Sequence, residues 1–203
     1  TMTALSILQL VPFPGDVVKG KITYDGQDLL NMPVSQLRRI RGKEISLIFQ
    51  DAGAALNPVI SVGKQVEELM LEHTDMSKRQ ARAFAAELLS QMGIPDANEM
   101  LDRYPFQLSG GMAQRVLLAI GVALKPRILI ADEPTSNLDV TLQAEILHRL
   151  RRLREENGTA IMLITHDLGV IAQMAEMVAV MYGGSIVEYA DTLTLYRRHM
   201  HPY

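Results

Sequence analysis

The sequence contains no cysteine, which excludes disulfides and thiolate metal sites and fits a reducing compartment. Neither sign of charge dominates: 20 Lys and Arg stand against 23 Asp and Glu, with an isoelectric point near 5.9. Nothing global therefore draws the chain toward nucleic acid or anionic lipid, and the basic clusters RRIRGK and HRLRRLR are diluted by acidic neighbours. Long apolar runs are also lacking. The longest, such as 116–124, stop well short of a membrane span, so work at a membrane would be that of a peripheral subunit. No pattern in the first residues reads as a signal peptide, and there is no internal repeat or low-complexity tract. The first residue is not methionine and the last three are HPY, so truncation at both ends is expected.

What is present suits one good core with room for a small second lobe: 203 residues, 48% of them hydrophobic. GKITYDGQDL and EISLIFQD read as strands, β-branched and bounded by glycine or charge. From about 61 to 107 the texture turns helical. Along SKRQARAFAAELLSQM the residues Ala81, Phe84, Ala85, Leu88, Leu89 and Met92 form one stripe, with Ser77 as cap and Gly93 as stop. Beyond Ser109 the pattern alternates. GMAQRVLLAIGVAL is an apolar helix and RILIAD a buried strand. TLQAEILHRLRRLREENG is an amphipathic helix ending at Gly158, and TAIMLITHD a second buried strand. Apolar strands alternating with helices predict an α/β fold with a parallel sheet covered on both faces. The twelve methionines lie mostly in apolar stretches and read as packing.

Ligands of such sheets bind beyond the carboxyl ends of the strands, so polar residues there are informative. EISLIFQ closes at Gln50, ILIADE at Asp132 and Glu133, and IMLITH at His166. Each has an ordinary explanation: a solvated amide, a charged turn before proline, a capping histidine. Together they suggest a site at one sheet edge. The strongest signal is LSGGMAQR, where Ser109 precedes two glycines at a helix start. Unpaired N–H groups and the helix dipole both favour a phosphate there, and Gly110 and Gly111 would weaken the turn unless something approaches the backbone closely. A plain serine N-cap with flexible glycines is the alternative.

These motifs resemble, in order and spacing, those of the ATP-binding cassette (ABC) ATPases. LSGGM is similar to their signature, ILIADEP to their Walker B strand, SNLD to their D-loop, IFQD to their Q-loop and LITHD to their H-loop. Finer text, FQDAGAALNP, YPFQLSGGMAQRV, DEPTSNLDVTLQ, GGSIVE and HPY, is similar to the subfamily serving dipeptide, oligopeptide and nickel importers.

The resemblance implies a P-loop NTPase (RecA-like) parallel-sheet core, residues 1–60 and 108–203, with an inserted helical subdomain at 61–107. It implies ATP hydrolysis with ATP and Mg2+ as cofactors. The family's phosphate loop, G-x-x-x-x-G-K-[ST], precedes a helix that TMTALSILQLVP resembles, so Thr1 would be its last residue and the rest would lie upstream. That leaves ATP binding by the chain alone in question. Thr1, Gln50 and Asp132 would hold magnesium, Glu133 would be the general base, and Gln50 and His166 would sense or contact the γ-phosphate. Ser109, Gly110 and Gly111 would cap the ATP of a second, identical or paralogous ATPase subunit paired head to tail, with Asp139 coupling the two sites.

The remaining implied partners are transmembrane permease subunits, one of which would send a short helix to the helical lobe, and indirectly an extracytoplasmic substrate-binding protein. No nucleic acid is expected, and the location would be the cytoplasmic face of a bacterial or archaeal membrane. Two other readings stay open: a soluble cassette ATPase outside transport, and a truncated cassette that binds or dimerises without hydrolysis.

Overall fold

The computed structural model describes residues 1–136 and 138–202; Asn137, within the SNLD motif, and Tyr203 lie outside the described residues. The chain divides into two compact units, Thr1–Ile164 and Thr165–Tyr203.

The first unit runs α1 (Met2–Ile7), β1 (Thr23–Tyr24), β2 (Gln27–Asp28), α2 (Val34–Ile40), β3 (Ile45–Ile48), α3 (Ala52–Ala55), α4 (Val62–His73), α5 (Lys78–Gln91), α6 (Ala97–Met100), α7 (Gly110–Val122), β4 (Ile128–Asp132), α8 (Val140–Asn157) and β5 (Ala160–Ile164). Strands β3, β4 and β5 form one parallel sheet in that order, with Ile45 opposite Ile128 and Ile128 opposite Ala160. Parallel neighbours need crossovers, and the helices between the strands supply them.

Two expectations are corrected. GKITYDGQDL is not one strand but a two-stranded antiparallel hairpin pairing Thr23 with Asp28. Asp25 and Gly26 both take positive φ, the turn that an Asp-Gly pair favours. The second correction concerns β5, which is half-buried rather than buried, with Ala160 exposed. Among the described residues β5 has one sheet neighbour, β4, and it forms the edge.

A core of Ala4, Leu8, Leu29, Leu37, Ile45 and Ile130 joins α1 and α2 to the sheet. Arg41, at the end of α2, donates to the carbonyls of Leu8 and Gln9 and ties down the end of α1. Helix α5 forms as its stripe predicts. Ser77 and Gln80 make a reciprocal capping box, Ala81, Ala85, Leu88 and Leu89 are buried, and Gly93 follows at φ +69°. Helix α7 buries Val116, Leu117, Leu118, Ala119 and Val122 and contacts β3, which sets its amino terminus relative to the sheet. Buried methionines are Met32, Met70, Met92 and Met100, whereas Met2, Met177, Met181 and Met200 are exposed, so packing accounts for only some of them.

The second unit comprises α9 (Leu168–Met174), the hairpin of β6 (Met177–Tyr182) with β7 (Ser185–Asp191), and α10 (Thr192–Arg198). Gly183 and Gly184 make its turn. Asp167 and Asp191 cap its two helices, and Glu188 accepts from the backbone N–H groups of Met200 and His201. No helix among the described residues is long and apolar enough to cross a membrane.

Candidate functional site

The ends of β3 and β4 carry the candidate polar residues of the first unit. Gln50, two residues beyond β3, donates its amide to Oε2 of Glu133 at 2.7 Å. Asp132 is the last residue of β4 and only 3% exposed. Its Oδ1 makes no hydrogen bond, and the backbone nitrogen of Thr1 stands 3.3 Å away. A buried carboxylate oxygen left without a hydrogen bond is costly unless a cation or water satisfies it. The carboxylate of Asp132 is the kind of hard oxygen donor that suits a divalent ion such as magnesium.

Glu133 sits at φ +47°, the left-handed region that non-glycine residues seldom occupy. Local bonds hold it there. Its N–H donates to Ile164, and its carbonyl accepts from both the N–H and the hydroxyl of Ser136. Gln114, buried on α7, donates to the carbonyl of Pro134 at 2.8 Å and braces the same turn. Backbone strain of this kind costs on the order of 1–3 kcal/mol and persists where its surroundings over-determine it.

Ser109 caps α7, its hydroxyl accepting from the N–H of Met112. The two glycines then differ. A Cβ on Gly110 would meet nothing within 4 Å, whereas one on Gly111 would lie 2.5 Å from Cδ2 of Leu142 on α8. Packing against α8 thus gives Gly111 a reason to be glycine, and the fold gives Gly110 none. Asp139 caps α8, accepting from the N–H groups of Thr141 and Leu142 at 3.0 Å. His166 is exposed and belongs to the second unit, two residues past β5.

The structure thus brings Gln50 to Glu133 and Thr1 to Asp132, and it places Ser109 and Asp139 at the starts of adjoining helices. Residues 3–136 match the family model described as ABC transporter. The chain belongs to the ABC transporter family.

Relatives within this family align with the whole chain. The oligopeptide transport ATP-binding protein OppD of Bacillus subtilis (strain 168) is 44% identical over 204 residues, with 57% of its own length covered. The dipeptide transport ATP-binding protein DppD of Escherichia coli (strain K12) is 43% identical over 203 residues, with 62% covered. The chain therefore spans about three-fifths of the length of these relatives. Among solved structures, the dimeric bacterial ABC transporter cassette MJ0796 superposes with a TM-score of 0.82 at 27% identity, over 94% of this chain and 79% of that one. Its post-hydrolysis dimer bound to ADP and Pi gives 0.80 at 26%, with the same coverage. The fold is accordingly the α/β fold of ABC cassettes, of the P-loop NTPase class.

Sequence reasoning missed three features of this cassette: the positive φ of Glu133, the brace from Gln114, and an ion cluster of Arg115, Glu145 and Arg149. A signal was available for two of them, because Gln114 and Arg115 are adjacent polar residues inside an otherwise apolar helix.

Proposed function

We propose that the chain is the ATP-hydrolysing cassette of an ABC importer for di- or oligopeptides. Family membership and the names of the relatives support this, and because those relatives are peptide transport proteins they favour peptides over nickel. The observation that carries the enzymatic part is the Gln50 to Glu133 hydrogen bond beside the buried carboxylate of Asp132.

In this reading Glu133 accepts the proton of the attacking water, and Gln50 orients both the carboxylate and that water. His166 donates to the γ-phosphate. Thr1, Gln50 and Asp132 would hold magnesium, a reading supported by the Asp132 Oδ1 that lacks a hydrogen bond. Magnesium bound there with the phosphates would neutralise charge developing on their oxygens.

Ser109, Gly110 and Gly111 would face the nucleotide of a second cassette, with N–H groups at the start of α7 directed to its phosphates. Asp139 would link the two sites. The dimeric neighbours support such pairing. The proposed organisation is one cassette over 1–203, with 61–107 as its helical subdomain. The partners would be transmembrane permease subunits and, through them, an extracytoplasmic binding protein, at the cytoplasmic face of the membrane.

The test is Glu133→Gln in the protein at its full natural length. Mg-ATP binding should persist while turnover falls by roughly a hundredfold or more, the scale of general base catalysis. Turnover left unchanged would remove Glu133 from the mechanism.

A further inference from the structure

Helix α5 ends without a basic residue in its last turn, yet its terminal carbonyls are capped by cations borrowed from two other helices. Arg115 on α7 donates to the carbonyls of Met92 and Gly93, at 3.3 and 2.9 Å. Arg149 on α8 donates to the carbonyl of Gln91. Cations at a helix carboxyl end satisfy unpaired carbonyls and the dipole together.

Glu145, also on α8, binds both arginines. Oε2 takes Arg115 and Oε1 takes Arg149, each at 2.6 Å. The arginine side chains are 20% and 21% exposed and that of Glu145 is 36%, so the three form a semi-enclosed network rather than an isolated surface pair. The two guanidinium groups lie against the backbone of Gly93, where a Cβ would stand 2.7 Å from both Arg115 and Arg149.

The cluster lies at equal depth in two helices. Arg115 follows the cap Ser109 at the same offset as Glu145 follows the cap Asp139, about 9 Å of helix rise in each case. Nearer the caps, Gly111 packs on Leu142. Two levels of contact thus fix the start of α7 against the start of α8, and the deeper one also includes α5.

We infer that Glu145 is a positioning residue: by bridging Arg115 and Arg149 it binds the end of α5 to α7 and α8, so that Ser109 and Asp139 are presented to the partner cassette as one rigid unit. The inference rests on the proposed function, in which those two caps act across the dimer. Without the carboxylate, two guanidinium groups face one another with no counter-charge, and both helix starts lose their common anchor.

The experiment uses the full-length protein with its pairing subunit. For Glu145→Gln, kcat should fall roughly tenfold while the Kd for Mg-ATP changes less than about twofold, as expected when alignment rather than binding is lost. Arg115→Lys keeps the charge and the fold but not the forked donation, and should lose about threefold. In a Ser109→Ala background, Glu145→Gln should cost less than about twofold more, because both changes act through the same helix start. Wild-type turnover that Glu145→Gln leaves within twofold, or losses that multiply independently with Ser109→Ala, would overturn the inference alone. A wild-type protein without turnover would overturn the proposed function and this inference with it.

Discussion

Gln50 donates its side-chain amide to Oε2 of Glu133 at 2.7 Å, joining the ends of two parallel strands across 83 positions of sequence. The glutamate it holds has a left-handed backbone, fixed by Ser136 and by the N–H bond to Ile164. Orientation of the carboxylate thus comes from a neighbouring strand, and the backbone beneath it from its own turn.

Removing the amide at constant size should therefore uncouple the carboxylate from its support. Gln50→Leu is expected to lower kcat by roughly tenfold or more, with a smaller change in KM for ATP. Steady-state kinetics across ATP concentrations checks this, and an unaltered kcat would deny Gln50 any part in turnover.

Gly110 and Gly111 separate a functional from a packing requirement. Gly110→Ala places its methyl in open space and should leave stability unchanged or raise it by about 0.5 kcal/mol. Gly111→Ala forces Leu142 to move and should be less stable than Gly110→Ala by about 1 kcal/mol or more. Urea unfolding gives the order. If Gly110→Ala is the more stable protein and still loses dimer-dependent hydrolysis, close phosphate approach accounts for that glycine.

The cap at Ser109 contributes to folding as well. Ser109→Ala should cost about 1 kcal/mol, the usual value of an N-cap hydroxyl, and Ser109→Arg should impair hydrolysis far more than nucleotide binding to one subunit. Equal losses in binding and hydrolysis would place Ser109 within its own chain's site.

Acid should loosen the ion cluster. The hydrogen bond from Arg149, joined by Arg115, holds the Glu145 carboxyl below the ordinary glutamate range. A lowered folded pKa means that the contribution is complete above the unfolded value and is lost as pH falls through the folded one. Wild-type stability should therefore decline more steeply on acidification than that of Glu145→Gln, as measured by urea midpoints across the acidic range. Parallel declines would mean that Glu145 gains nothing from its two arginines.

Much of the cassette is legible in the order of its residues, because the relevant forces are local. The periodic stripe of α5 and its Ser77 cap depend on residues within one or two turns, as do the stops at Gly93 and Gly158. Strand-ending Gln50, Asp132 and Glu133 are visible for the same reason: a polar residue closing an apolar run is a one-dimensional signal. The Asp-Gly turn inside GKITYDGQDL is equally local, but the β-branched residues around it conceal it.

By itself, then, the sequence determined helices α5, α7 and α8, the caps at Ser77 and Ser109, the parallel α/β alternation and the residue types available for phosphate chemistry. Only the tertiary structure decided that Gln50 meets Glu133, that Gly111 rather than Gly110 is needed for packing, that β5 pairs with β4 and is half-buried, and that Arg115, Glu145 and Arg149 converge on the end of α5. The physical reason is range. Caps and periodicity follow from neighbours along the chain, whereas these contacts join side chains far apart in sequence, whose meeting is set by how the helices and strands pack.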